Sequence, residues 1–100
     1  MQQMLARAQK LQAKIAEAQE ELKKREITGS SGSGAVVVVM SLAGSVVSVS
    51  IEKAVVDPEE KEVLEDLIVA ALRDAKQKAD SLYEEEMAKV TGGFKMPGLI

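Results

Sequence analysis

The chain has 100 residues, a formal net charge of −3, no cysteine and no histidine. Disulfides and thiolate chemistry are therefore excluded, as are the most common general base and the most common metal ligand. With one Tyr, one Phe and no Trp, the core has to be aliphatic, and so short a chain usually needs a partner to complete such a core.

The length favours one domain spanning residues 1–100. No segment approaches the roughly 20 apolar residues that cross a bilayer. The opening residues also lack the basic start and apolar run of a signal peptide. We therefore expect a cytoplasmic protein with no membrane partner.

Residues 1–25 contain neither Gly nor Pro and are rich in Gln, Ala, Lys, Glu and Leu, which predicts a helix. Apolar side chains recur in it at alternating spacings of four and three residues, as in a helix packed against a neighbour. This apolar stripe consists of Met4, Ala8, Leu11, Ile15, Ala18 and Leu22.

A small sheet is predicted over residues 26–54. The Gly/Ser-rich segment 29–34 is typical of a flexible loop. The β-branched run beginning at Val36 and the alternating run ending at Ile51 flank a turn signal at residues 43–45, which predicts a hairpin. A short strand over residues 26–28 would pair with it and give three strands.

The first hairpin strand, residues 35–42, is apolar on both faces. Such a strand needs cover on both sides. Helices can cover one side, so we expect a second subunit to help cover the other. The side chains expected at this homodimer interface are Val36, Val38, Met40, Val49 and Ile51.

The sequence Asp57-Pro58-Glu59-Glu60 has the features of a helix start: an N-cap residue, a proline at the first position and acidic residues in the first turn. We expect this helix over residues 58–90, near 50 Å long at about 1.5 Å per residue. Both long helices should therefore project beyond the small sheet, giving an α+β protomer. Residues 91–100 are expected to form a flexible tail.

Charge is unevenly distributed. Residues 1–25 contain six basic and three acidic residues, whereas residues 58–91 contain five basic and ten acidic residues. Arg7, Lys10 and Lys14 are spaced so that they share one helix face. Such a row can follow a phosphate backbone, although an ordinary solvated helix face carries similar rows.

Catalysis is not expected. Carboxylates occur in pairs, but no base, nucleophile or metal-ligating cluster accompanies them. The Gly/Ser-rich segment lacks the Gly-Lys-Ser/Thr ending of a phosphate loop and precedes a strand instead of a helix. We expect no metal, cofactor or small-molecule substrate.

The whole chain resembles the YbaB/EbfC family. Residues 62–71, Glu-Val-Leu-Glu-Asp-Leu-Ile-Val-Ala-Ala, are nearly identical to that family's EMLEDLIVAA stretch. The Gln/Lys-rich opening helix, the segment from Ile27 to Gly34, and the closing Met87 to Gly93 also fit.

The resemblance implies an α-β-β-β-α protomer with a small antiparallel sheet. Two such protomers form a tweezer-like homodimer with projecting helices. It also implies a nucleoid-associated protein that binds double-stranded DNA with little sequence preference, organises the nucleoid and contributes to gene regulation. Family members contact DNA through both long helices. The basic positions that match here are Arg7, Lys10, Lys14, Arg73, Lys76 and Lys78.

The sheet departs from the family pattern. Val37, Val39 and Val47 stand where members commonly have Lys or Thr, and Ser50 also replaces a common Lys. Ser41-Leu42 replaces an Asn-Gly-like turn, and Glu52-Lys53 replaces an Asp-Pro pair. The added apolar surface favours association beyond a dimer.

The acidic net charge leaves a second hypothesis open, a structural or adaptor dimer that binds a protein partner in recombination or repair and binds DNA weakly.

Overall fold

The computed structural model describes residues 2–92. It contains a long helix, three antiparallel strands and a second long helix, which confirms the predicted α+β class and the α-β-β-β-α order. The predicted tail lies, from residue 93 onwards, outside the described residues. The elements are α1 (Gln2–Lys24), β1 (Glu26–Ser31), β2 (Val36–Ser41), β3 (Val46–Ile51) and α2 (Lys61–Val90).

The start of α2 follows from its capping residues. The Asp57 carboxylate accepts a hydrogen bond from the Glu59 backbone N–H at 3.0 Å, as an N-cap does. The three residues Pro58–Glu60 form a 3₁₀ turn, so the α-helix begins at Lys61, slightly later than predicted. Beyond its end, Gly92 has a φ of +66°, a left-handed conformation that suits glycine after a helix.

The sheet has the order β1-β2-β3, with β2 in the centre. The predicted hairpin of β2 and β3 is present, but β1 extends to Ser31, three residues further than expected. Gly29 pairs with Val38 and Ser31 with Val36, so half of the predicted flexible loop is strand. Strand pairing outweighs the weak intrinsic preference of Gly and Ser for β structure.

One face of the sheet is covered by α2, which packs chiefly on β1 and β2. Val36 and Val38 are fully buried there, against an equally buried row formed by Ala71, Ala75 and Ala79. Val37 and Val39 alternate onto the other face and are half-buried. The strand therefore has the two apolar faces that the sequence indicated, and α2 covers one of them.

Helix and sheet approach each other closely because both contribute small residues. A Cβ added to Gly29 would lie 2.3 Å from the Ala75 backbone nitrogen, well inside the contact distance. Leu22 anchors the last turns of α1 in the same core. Every residue from 2 to 14 is exposed, so most of α1 extends away from the sheet.

We expect Gly29→Ala to destabilise the fold by about 1–3 kcal/mol, the usual cost of forcing extra volume into a packed site. Thr28→Ala is the matched control, because Thr28 is exposed on the opposite face, and its cost should stay below about 1 kcal/mol. Urea unfolding at a fixed protein concentration measures both. Equal stability of the two variants would contradict the close approach at Gly29.

Candidate nucleic-acid interface

The basic row of α1 is formed by Arg7, Lys10 and Lys14. All three side chains are exposed on a helix that projects from the sheet. None of them makes an ion pair with another residue in the described range 2–92. The first acidic residue of the chain is Glu17. These cations are therefore available to an anionic partner.

The basic residues of α2 are in a different situation. Lys76 contacts Asp80 at 2.8 Å, and Lys78 contacts Asp74 at 3.0 Å. The Lys76–Asp80 pair is largely exposed and contributes little to stability. In either pair, a phosphate would have to displace the carboxylate. Arg73 makes no ion pair within the described part of the chain.

Within one protomer the two basic groups do not meet. Val90, at the end of α2, lies beside Lys14 and Ala18 of α1. Arg73 precedes Val90 by 17 residues, which corresponds to about 25 Å along the helix axis. Within one protomer the two basic groups therefore form separate surfaces.

Arg73 and Lys76 line a groove beside α2 that also contains acidic side chains, Asp80 and Glu84. Glu84, part of the acidic run at residues 84–86, therefore lies on the same surface as the two cations. These carboxylates lower the positive potential of the groove. The periodicity of α2 contained this signal, because Lys76 and Asp80 are one turn apart.

Asp74 has a structural role beside the sheet. Its carboxylate accepts a hydrogen bond from the backbone N–H of Ser30 at 2.9 Å, on the outer edge of β1. This N–H donor, followed by the Lys78 ammonium group, lowers the pKa of Asp74 below the ordinary aspartate value. Lys78 therefore belongs to a contact that holds the edge of the sheet to α2.

The five side chains expected at a dimer interface fall into two groups. Val36, Val38 and Met40 are buried within the protomer, beneath α2. Val49 and Ile51 pair with Val38 and Val36 and so share their face of the sheet. They remain 43 % and 37 % exposed, because α2 does not extend over β3.

Other apolar side chains are also exposed, and the sequence had indicated added apolar surface at only one of them, Val47. About half of the side chain is exposed at Val46 and Val47 on β3, at Val69 on α2 and at Leu11 on α1. Met4 on α1 is 76 % exposed. The alternation of β3 and the stripe of α1 indicated apolar faces, but the pattern alone does not tell which parts of a face are covered.

Between residues 2 and 92, no group of Asp and Glu side chains is arranged to hold a metal ion. No helix in that range is long and apolar enough to cross a bilayer.

Comparison with known proteins gives consistent results. The sequence model of the YbaB/EbfC DNA-binding family matches residues 1–94. A nucleoid-associated protein of Rhodospirillum rubrum is 50% identical, covering 95% of this chain and 89% of that protein. A nucleoid-associated protein of Saccharopolyspora erythraea is 43% identical, covering 99% and 93%.

The fold is also similar to that of a solved protein. An uncharacterized protein from Helicobacter pylori superimposes with a TM-score of 0.77 at 21% identity. The alignment covers 92% of this chain and 97% of the Helicobacter chain. At this identity the similarity establishes the fold alone.

The role of Asp74 can be tested through pH. A carboxylate whose pKa is lowered by folding contributes stability above its unfolded pKa and loses it as the pH falls through its native pKa. We expect Asp74→Asn to lower the urea midpoint near neutral pH. Below about pH 4, the midpoints of the variant and of the unaltered protein should become equal. Asp66→Asn, at an exposed position of the same helix, is the control. A difference that does not change with pH would contradict the contact.

Proposed function

The chain belongs to the YbaB/EbfC DNA-binding family, and on that premise we propose that it is a nucleoid-associated protein that binds double-stranded DNA as a homodimer. The observation that carries this proposal is the basic row of α1, with its three exposed cations and no carboxylate before Glu17. The protein would act in the cytoplasm, on the nucleoid, and contribute there to DNA organisation and gene regulation.

Phosphate contacts explain how an acidic protein can bind DNA. The net charge of −3 is unfavourable at long range, but salt screens charges beyond about 10 Å at moderate ionic strength. The basic row projects from the sheet, while residues 58–91 contain ten acidic residues. The local charge at the contact therefore governs binding. Because phosphates are the same in every sequence, contacts of this kind give little sequence preference.

A second copy of the chain is the proposed partner at β3. This strand is at the edge of the sheet and contains only Val, Ser and Ile, with no charge and no proline to block pairing. The other edge, β1, is protected at Ser30 by Asp74. We therefore infer that two protomers associate along β3 and the uncovered face beside α2, with Val49, Ile51 and Val69 in the interface.

Dimerisation supports the DNA-binding proposal because it doubles the basic row. Two α1 helices that project from one shared sheet region would offer six cations to a duplex. Arg73 and Lys76 would join this surface only where the second protomer brings its α1 close to them. A function without catalysis is consistent with a chain that has no His and no Cys.

Replacement of Arg7, Lys10 and Lys14 by Gln should weaken DNA binding similarly for all sequences. Fold and stability should hardly change, because the three side chains are exposed and Gln forms helices well. The slope of log affinity against log salt should become shallower by about 3 for each protomer in contact with DNA. Fluorescence anisotropy with duplex probes at several salt concentrations measures this.

The charge-matched control is the replacement of Lys23, Lys24 and Arg25 by Gln. These residues lie at the sheet end of α1, and Lys23 and Arg25 already contact Glu20 and Glu86. The control variant should keep most of the salt slope. If the two triple variants show the same reduction in slope, binding follows net charge and the helix-face assignment is wrong. If the unaltered protein binds no DNA at low salt, the adaptor function replaces the proposal.

Two substitutions distinguish dimerisation from the folding of the protomer. Val49→Asp places a charge at an exposed position, so the protomer should fold while dimerisation weakens at least about a hundredfold. Val38→Asp buries the charge under α2 and should unfold the protomer. Sedimentation velocity and circular dichroism distinguish these outcomes. A dimer unaffected by Val49→Asp would exclude this interface.

A further inference from the structure

The exposed part of α1 carries large apolar side chains directly beside its basic row. Met4 is 76 % and Leu11 is 42 % exposed. Arg7 is three residues from Met4 and four from Leu11, so on a helix it adjoins both. Lys14 is three residues from Leu11 and adjoins it in the same way. An apolar row and a cationic row therefore run side by side over residues 2–14.

The apolar stripe of α1 changes its surroundings along the helix. Leu22 is buried in the core, and Ile15 and Ala18 are half-buried, Ala18 lying beside Val90 at the end of α2. Met4, Ala8 and Leu11 continue the same stripe but are exposed. Packing within the described protomer covers the sheet end of the stripe and leaves its projecting end exposed.

From this juxtaposition we infer that the projecting end of α1 lies in the major groove of DNA, where Met4 and Leu11 contact the 5-methyl groups of thymine. The inference rests on the proposed function and adds a base contact to it. Arg7, Lys10 and Lys14 hold one phosphate backbone, and the adjoining apolar row faces the base edges. The consequence is a preference for thymine-containing sites within an otherwise sequence-tolerant interaction.

The dimensions and the chemistry agree. An α-helix with its side chains is about 10–12 Å across, and the major groove is about 12 Å wide. Residues 2–14 span about 20 Å along the helix axis, the length of roughly six base pairs. The thymine methyl is the apolar group that base pairs present in this groove. A helix with Met and Leu beside Arg and Lys matches that surface.

Charge favours DNA over a second copy of α1. Pairing two apolar stripes would bring two basic rows together, and residues 2–16 contain no carboxylate to neutralise them. An anionic bilayer is matched less well. The stripe exposes only two large side chains beyond the core, and α1 contains no aromatic residue to anchor it at a lipid interface.

The test compares duplexes of identical sequence that contain either thymidine or deoxyuridine, which lacks the 5-methyl group. We expect the unaltered protein to bind the deoxyuridine duplex more weakly, by about fourfold for each contacted methyl group that is absent, the factor for burying one methyl group. Met4→Gln combined with Leu11→Gln should bind both duplexes equally. Its salt slope should remain that of the unaltered protein, because the cations are retained.

Two controls isolate the contact. Leu5→Gln changes a side chain that is also exposed, at 62 %, but lies on the opposite side of the helix from Arg7 and Lys14 at 100° per residue. This variant should still discriminate the two duplexes. The triple Gln variant of the basic row should bind weakly with a shallower salt slope and also keep its discrimination.

Each result has a definite meaning. Tight but equal binding of both duplexes by the unaltered protein would overturn the thymine contact and leave the proposed function in place. Discrimination that persists in the Met4 and Leu11 variant would also overturn it, because α1 would not be its source. If both duplexes bind equally and binding to phosphatidylglycerol vesicles depends on Met4 and Leu11, the stripe is a lipid-binding surface instead. Absence of DNA binding would overturn both proposals.

Discussion

The structure depends on the close packing of α2 against β1 and β2. Ala71, Ala75 and Ala79 face the sheet at one-turn intervals, and Gly29 lets the helix backbone approach the strand. A chain with almost no aromatic side chains fills its core in this way, by bringing backbones together instead of filling space with rings. The result is a thin protomer core in which Val36 and Val38 are fully buried.

This packing also determines what remains exposed. Because α2 lies over β1 and β2, its cover ends before β3, and the apolar side chains of that edge strand stay accessible. Because the core is small, only the last turns of α1 reach it. The rest of the helix projects, and its stripe and basic row are both exposed. The proposed dimer contact and the proposed DNA contact thus both follow from the small extent of the core between α2 and the sheet.

Much of this was accessible to sequence reasoning. The capping residues at Asp57-Pro58, the β-branched run of β2 and the residues matching the family's EMLEDLIVAA stretch indicated the elements and their order, which the structure confirms. Gly29 was misjudged. A glycine in a Gly/Ser-rich segment suggests a loop, but here it is a strand residue whose missing side chain makes room for Ala75. Local composition does not reveal which distant backbone approaches a residue.

The sequence by itself determined the element order, the aliphatic core and the row of Arg7, Lys10 and Lys14, because periodicity and capping act between residues close along the chain. Only the tertiary structure decided which apolar faces are covered. Val38 and Val49 are neighbours on one face of the sheet, yet one is buried and the other exposed, because α2, which begins at Lys61, covers β2 and not β3. It likewise separated Arg73 and Lys76 from the row on α1, since the relative placement of two helices depends on packing between segments far apart in sequence.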